Sequence, residues 1–256
     1  MNIYGTAKDN GKQVASVDAM NSLIAAAGRS GRPDMAIRLL NDCHIFSIVP
    51  NMRSYRSAIV ACNQAQHEIR RQQRKKERSS GSSWMQQESQ YTKVEESLDP
   101  LSLHWWEASL SLLRRMKEEG LEPDAQTYSS VIAACQAAGQ WQRALGVLKE
   151  MTRDNTNPPN KFCLNAAISA CEKGGAWLEA LELYEKMKTT IKPDFITMNS
   201  LLIALANADQ KELAENIYKE ALRDRIIWPW KTDRKTGDRI MVRYIPTVFF
   251  VHVGTF

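Results

Sequence analysis

The chain has 256 residues, 43% of them hydrophobic and 25% charged, with a formal net charge of +5. That is enough apolar material for a core, and no run of 18 apolar residues supplies a membrane-crossing helix. The five cysteines are odd in number and include no CxxC, which argues against a disulfide framework or a cysteine-rich metal site.

Residues 1–16 form an N-terminal extension with neither an apolar signal core nor an Arg-rich amphipathic pattern, so no targeting peptide is legible there. From Val17 onward the chain repeats itself. A Pro followed by Asn or Asp closes a segment four times, at Pro50-Asn51, Pro123-Asp124, Pro159-Asn160 and Pro193-Asp194. The repeats are 17–51, 52–124, 125–160 and 161–194, with a fifth at 195–230. A period of about 35 residues marks a solenoid in which each repeat completes its core against its neighbours.

Each repeat carries two amphipathic segments. In repeat one, Met20, Leu23, Ile24 and Ala27 fall on one helical face. The turn Gly28-Arg29-Ser30-Gly31 follows, and Pro33 sits in the first turn of the next helix, where its missing N–H costs nothing. Repeat two predicts helices over Tyr55–Gln64 and Trp105–Lys117, separated by an Arg-, Lys-, Gln- and Ser-rich insert over about 67–104. Its composition lacks the apolar surface to order itself, so a flexible loop is expected, with a frayed helical start from Glu68 to Arg78. Repeat three shows Tyr128, Val131, Ile132 and Cys135, then Gly139, then Trp141, Ala144, Leu145, Leu148 and Met151. Repeat four shows Leu164, Ala167, Ile168 and Cys171, then Gly174-Gly175, then Trp177, Ala180, Leu181, Tyr184 and Met187.

Cys62, Cys135 and Cys171 follow Ala at one place in three repeats and read as small apolar filler. Trp106, Trp141 and Trp177 share the start of the second helix. They read as wedges between hairpins, with base stacking as the alternative. The tail, 231–256, breaks the pattern; its KTGDR segment suits a hairpin turn, and Thr247–Val253 reads as a strand. Arg70–Arg78 and Arg223–Arg243 together hold 13 of the 34 basic and 4 of the 29 acidic side chains. The rest of the chain is therefore mildly acidic, and the basic surface belongs to the insert and the tail. The first run reads as a solvated tether or, alternatively, a phosphate clamp.

The residues Met20-Asn21-Ser22-Leu23-Ile24, Phe162-Cys163-Leu164-Asn165-Ala166-Ala167-Ile168 and Thr197-Met198-Asn199-Ser200-Leu201-Leu202, with the Ala180–Met187 core and the closing Pro-Asp or Pro-Asn, resemble the pentatricopeptide repeat family. The resemblance covers about Val17 to Trp230. It implies an all-α, right-handed superhelical solenoid of about five helix-turn-helix repeats. It also implies sequence-selective binding of single-stranded RNA, one base per repeat, in organellar RNA processing, stability or translation. The expected partners are single-stranded RNA and other RNA-processing proteins, without a membrane, cofactor or metal; the expected compartment is mitochondrion or chloroplast.

In that family the fifth and last residues of a repeat read a base edge. The resemblance implies Asn21 with Asn51 as a pyrimidine reader, Ser129 with Asn160 as an adenine reader and Asn165 with Asp194 as a uracil reader, with Asn199 at the fifth place of repeat five. The second place sandwiches the base, a role Phe162 and Ile196 fit and Asp18, Arg53 and Gln126 do not. In repeat two, Arg56 stands against Asp124, a pair expected to bind each other and read nothing. Repeat five ends in Trp230 and lacks a matching last residue. Helix capping alone also accounts for Asn51, Asp124, Asn160 and Asp194, since Asn and Asp are preferred N-caps. The fifth-place Asn residues lack such a local reason and are expected to face an open inner groove. The sequence shows no nuclease-like or deaminase-like motif, and no catalytic role is expected. A scaffold for protein partners is the alternative to RNA binding.

Overall fold

A computed structural model describes residues 16–79, 105–153, 158–227, 230–232 and 239–241. Ten helices occur among them: α1 Val17–Arg29, α2 Pro33–Ile45, α3 Met52–Ser79, α4 Trp105–Glu118, α5 Ala125–Ala137, α6 Trp141–Arg153, α7 Lys161–Lys173, α8 Trp177–Thr190, α9 Phe195–Asn207 and α10 Lys211–Arg223. The helices alternate as hairpins, which makes the chain an all-α repeat protein. Two compact units divide it, Met1–Thr127 and Tyr128–Phe256.

The hairpins share one set of turn chemistry. Gly31, Gly139 and Gly175 adopt positive φ of about 70° directly after a first helix, and Asp209 takes the same place at φ 55°. A left-handed residue lets the following N–H reach five residues back. Arg32 thus donates to the Ala27 carbonyl, Gln140 to Cys135, Ala176 to Cys171 and Gln210 to Leu205, at 2.9–3.0 Å. These bonds satisfy carbonyls that the helix end would leave open. In these four hairpins the second helix starts after a three-residue turn.

In the N-terminal unit α1 packs on α2 and α3, and α3 packs on α2 and α4. Met20, Ile24, Leu40, Tyr55, Ile59, Cys62, Leu113 and Met116 form its core. A Cβ placed on Gly28 would stand 3.0 Å from the Ala61 Cβ, so these two small residues bring α1 and α3 close together. The C-terminal unit packs α7 against α6, α8 and α9, and α9 against α8 and α10. Tyr128, Ile132, Cys135, Met151, Ile168, Cys171, Tyr184, Met187 and Met198 are its buried counterparts. The repeat-spaced cysteines are free and buried. Burial pushes the thiols of Cys62, Cys135 and Cys171 up to about 12, as expected of apolar filler.

One expectation needs correction. The insert does not begin as a loop at about residue 67: the helical start expected at Glu68–Arg78 is part of α3, which continues from the first helix to Ser79. Arg, Lys, Gln and Glu are good helix formers, and Glu68 accepts from Gln72 at 3.3 Å and pairs with Arg71 at 3.8 Å along the helix. Residues 80–104 of that insert lie outside the described residues. A small antiparallel pair, β1 Trp230–Thr232 and β2 Arg239–Met241, stands in register Trp230 with Met241; Arg239, the last residue of the KTGDR segment, opens β2, in agreement with the hairpin expected there. The strand read at Thr247–Val253 lies outside the described residues.

Candidate functional site

The site is built where one repeat ends and the next begins. Each last-place residue is also an N-cap. Asn51 Oδ1 accepts from the Ser54 N–H at 3.1 Å, Asp124 Oδ1 from Thr127 at 2.8 Å, Asn160 Oδ1 from Cys163 at 3.0 Å and Asp194 Oδ1 from Thr197 at 3.1 Å. At Asp194 the cap is reciprocal, since Thr197 Oγ1 accepts the Asp194 N–H at 3.2 Å.

The fifth-place amides join these caps. Asn21 Nδ2 donates to Asn51 Oδ1 at 3.3 Å, and Ser54 Oγ donates to Asn21 Oδ1 at 2.5 Å. Asn165 Nδ2 donates to both Asp194 carboxylate oxygens, at 3.1 and 3.3 Å, and Thr197 Oγ1 donates to Asn165 Oδ1 at 2.6 Å. Fifth and last residues thus meet in repeats one and four. They also meet in repeat two, where Arg56 Nη1 and Asp124 Oδ2 form an ion pair at 2.8 Å. Repeat three differs. Ser129 Oγ lies 3.0 Å from Cys163 Sγ, while Asn160 caps the same Cys163. Asn199 is half-buried and makes no side-chain hydrogen bond among the described residues.

The expectation of open fifth-place amides does not hold for Asn21 and Asn165, which are 2% and 8% exposed. Their polar atoms are turned into the cap of the following helix, which supplies the partners a buried amide requires. The last-place residues remain open: Asn51 is exposed, and a third of the Asp194 side chain is accessible. Phe162 is 77% and Ile196 58% exposed. Phe162 stands one helical turn before Asn165, and Ile196 two residues after Asp194.

Charge follows the same plan. Burial raises the Asp194 carboxyl, but hydrogen bonds from Thr197 and Asn165 outweigh it and hold the group below the usual carboxylate range. Lys161 approaches it at 4.0 Å. Burial likewise raises the Asp124 carboxyl, and hydrogen bonds from Thr127 with the Arg56 guanidinium outweigh it and hold the group low. Both carboxylates are ionised near neutral pH and only accept hydrogen bonds.

Spacing alone did not reveal Ser54, Thr127, Cys163 and Thr197, the third residues of their repeats. For Ser54, Thr127 and Thr197 the signal is the run Asn-x-x-Ser or Asp-x-x-Thr across the repeat boundary, and Cys163 departs from it as Asn-x-x-Cys. The tryptophans sort as wedges where the packing is visible: a Cβ on Gly174 would fall 2.0 Å from Trp141 Cδ1, so the indole lies against the turn of the next repeat. Among the described residues no cluster of His, Cys, Asp and Glu could hold a metal ion, and no helix is long and apolar enough to cross a membrane.

Comparison with known proteins agrees with this architecture. The pentatricopeptide repeat domain family matches residues 111–174, and the PPR repeat family matches residues 18–44 and 162–189. No curated protein matches the chain by sequence. Among solved structures, the chain is similar to nuclear proteinaceous RNase P 2 (PRORP2) from A. thaliana, with TM-score 0.59 and 14% identity over 80% of this chain and 38% of that one. It is similar to the PPR domain of Arabidopsis thaliana protein-only RNase P 1 (PRORP1) in complex with tRNA, with TM-score 0.59 and 13% identity over 82% and 91%. It is also similar to the pentatricopeptide repeat protein PPR10 in complex with an 18-nt psaJ RNA element, with TM-score 0.54 and 18% identity over 89% and 31%. The chain therefore spans well under half the length of PRORP2 and PPR10, and at these identities the likeness is one of fold. The repeat signature, the helical hairpins and the family matches over residues 18–44 and 111–189 agree: this chain carries pentatricopeptide repeats.

Proposed function

We propose that the chain binds single-stranded RNA and reads it one base per repeat at the repeat boundaries. The carrying observation is the Asn165–Asp194 pair with Phe162 and Ile196 exposed around it. The pentatricopeptide repeats and the fold shared with proteins solved on tRNA and on an 18-nt RNA support the same reading.

The polarity of each boundary follows from which atoms the caps leave over. Asp194 Oδ1 takes Thr197 and Asn165, while Oδ2, which accepts only the longer Asn165 contact at 3.3 Å and lies 4.0 Å from Lys161, keeps lone-pair capacity for a base N–H, as in uracil. Asn51 and Asn160 spend Oδ1 on their caps, which leaves Nδ2 outward as a donor. A donor suits a ring nitrogen acceptor, as in cytosine at repeat one and adenine at repeat three. Asn21 and Asn165 act from behind, holding the last-place residue in place, and Ser129 stands in their position in repeat three. Asn199 belongs to a fifth repeat without a described last-place side chain. The Arg56–Asp124 ion pair occupies the reading atoms of repeat two, which we take to be silent.

Stacking contributes roughly 1–3 kcal/mol per base, and three reading repeats give about 3–9 kcal/mol against an association cost of about 4–15 kcal/mol. Weak binding, micromolar or poorer, follows for this array alone, with phosphate contacts from the basic 70–78 segment adding salt dependence. The organellar part of the proposal, mitochondrion or chloroplast and RNA processing, rests on the family resemblance; a fluorescent fusion tests it.

The test of RNA binding is fluorescence anisotropy with labelled 12-mers of U, C and A. Phe162→Ala removes an exposed ring and leaves the core intact. A fall of about 5-fold or more in affinity, with an unchanged unfolding midpoint, is expected. Unchanged affinity, or no binding by the parent chain, refutes the reading.

One observation favours a second reading, a scaffold for protein partners: the buried amides of Asn21 and Asn165 are fully used in helix caps. Under that reading Asn21→Ala with Asn165→Ala weakens the fold while RNA binding, per folded molecule, does not change.

A further inference from the structure

We infer that Thr197 and Ser54, the third residues of the repeats that follow repeats four and one, are positioning residues that set base selectivity by fixing the orientation of the fifth-place amide. The inference rests on the base-reading proposal above.

A hydroxyl has one proton and two lone pairs. Thr197 Oγ1 accepts the Asp194 N–H at 3.2 Å. Its own proton has two acceptors within reach, Asn165 Oδ1 at 2.6 Å and Asp194 Oδ1 at 3.0 Å, and the shorter contact goes to Asn165. With Oδ1 held, Nδ2 faces Asp194. Turning the amide over would set its carbonyl against an ionised carboxylate, two acceptors with no proton between them. The charge of Asp194 and the Thr197 hydroxyl therefore act together.

In repeat one the charge is absent and the hydroxyl carries more of the task. Ser54 Oγ accepts the Asn51 N–H at 3.1 Å and donates to Asn21 Oδ1 at 2.5 Å. Asn21 Nδ2 then donates to Asn51 Oδ1, and that bond, with the Ser54 N–H, keeps the Asn51 amide from turning its oxygen outward. Without the Ser54 hydroxyl, Asn21 could present either end to Asn51, and only the Ser54 N–H would still hold the Asn51 oxygen inward. Selectivity at that boundary would blur. Repeat three supplies the natural contrast. A thiol, Cys163, replaces the hydroxyl where the fifth place is Ser129, which has no amide to orient.

The experiment measures U12 and C12 affinities by anisotropy for the parent, Thr197→Val and Thr197→Ser, and compares the U12-to-C12 ratio. Ratios cancel the repeats left unchanged and any uniform loss from a looser fold. Thr197→Val should lower the ratio at least 5-fold, and Thr197→Ser, which restores the hydroxyl, should stay within 2-fold of the parent. If circular dichroism shows Thr197→Val unfolded, Ser54→Ala is read in the same way, with the ratio rising because cytosine selection is lost. A ratio within 2-fold of the parent in the folded hydroxyl-free variant overturns the inference and leaves RNA binding standing. A parent that binds neither oligomer overturns the base-reading proposal and this inference with it.

Discussion

Gly174→Ala separates a structural tryptophan from a free one. Gly174 caps α7 at φ −88°, ψ 2°, a conformation alanine adopts without strain. By backbone entropy alone the change should stabilise the fold by about 0.4–1 kcal/mol. The structure reverses that sign. The new methyl would stand 2.0 Å from Trp141 Cδ1 and 2.7 Å from Cγ, far inside van der Waals contact. The half-buried indole must swing away or the two repeats must part, and overpacking of this kind costs about 1–3 kcal/mol. Gly175 is the internal control: its positive φ makes alanine strained, yet nothing lies within 4 Å of its Cβ position. Urea unfolding followed at 222 nm should show Gly174→Ala losing about 1–3 kcal/mol in the parent background. In a Trp141→Ala background the same change should be neutral or mildly stabilising, because the obstacle is gone. The Gly175→Ala loss should be the same in both backgrounds. A Gly174→Ala chain as stable as the parent, or an equal loss with and without Trp141, would refute the wedge and return Trp141 to the candidates for base stacking.

Three further outcomes are expected. Asp124 and Asp194 are held below their ordinary value of 3.8, so their contribution to stability is present above that pH and is lost as pH falls through the folded value; urea midpoints should drop below about pH 4, and Asp124→Asn with Asp194→Asn should flatten that drop while keeping the caps. Arg56→Ala breaks a half-exposed ion pair and should cost less than about 1 kcal/mol, whereas Asp124→Ala also uncaps α5 and should cost about 0.5–2 kcal/mol more; equal losses in chemical denaturation would mean the cap contributes nothing. All five cysteines are buried, so Ellman's reagent should find less than one thiol in the native chain within minutes at pH 8 and all five in guanidinium; rapid native reaction would contradict the packing.

The helical hairpins were legible because each repeat prints its buried face three or four residues apart, and Ile24, Ile59, Ile132 and Ile168 all arrive in the core. The capping of the first helix was also legible in repeats two to five, since Pro-Asn and Pro-Asp announce it. What escaped was three-dimensional. Spacing puts Asn21 and Asn165 on a helix face, but only the neighbouring repeat decides whether that face is open, and Ser54 and Thr197 close it. At α3 the reading allowed a frayed helical start over Glu68–Arg78 but, seeing too little apolar surface, set it in a loop apart from the first helix; a chain of Arg, Lys, Gln and Glu can instead extend a helix that a core has already nucleated. Trp141 was legible as a repeated residue, yet the glycine that receives it shows only in the packing.

Under the base-reading proposal, the overlap of cap and last-place residue limits how this array could be reprogrammed. A letter change at Asn51, Asn160 or Asp194 is at once a change in the start of the next helix. Exchanges among Asn, Asp and Ser preserve that start, while an apolar or long basic substitute would weaken the downstream hairpin by about 0.5–2 kcal/mol. The vocabulary open to such a protein is therefore narrowed by folding before any nucleotide is encountered, and variants selected for new targets should cluster in the few residue types that can do both.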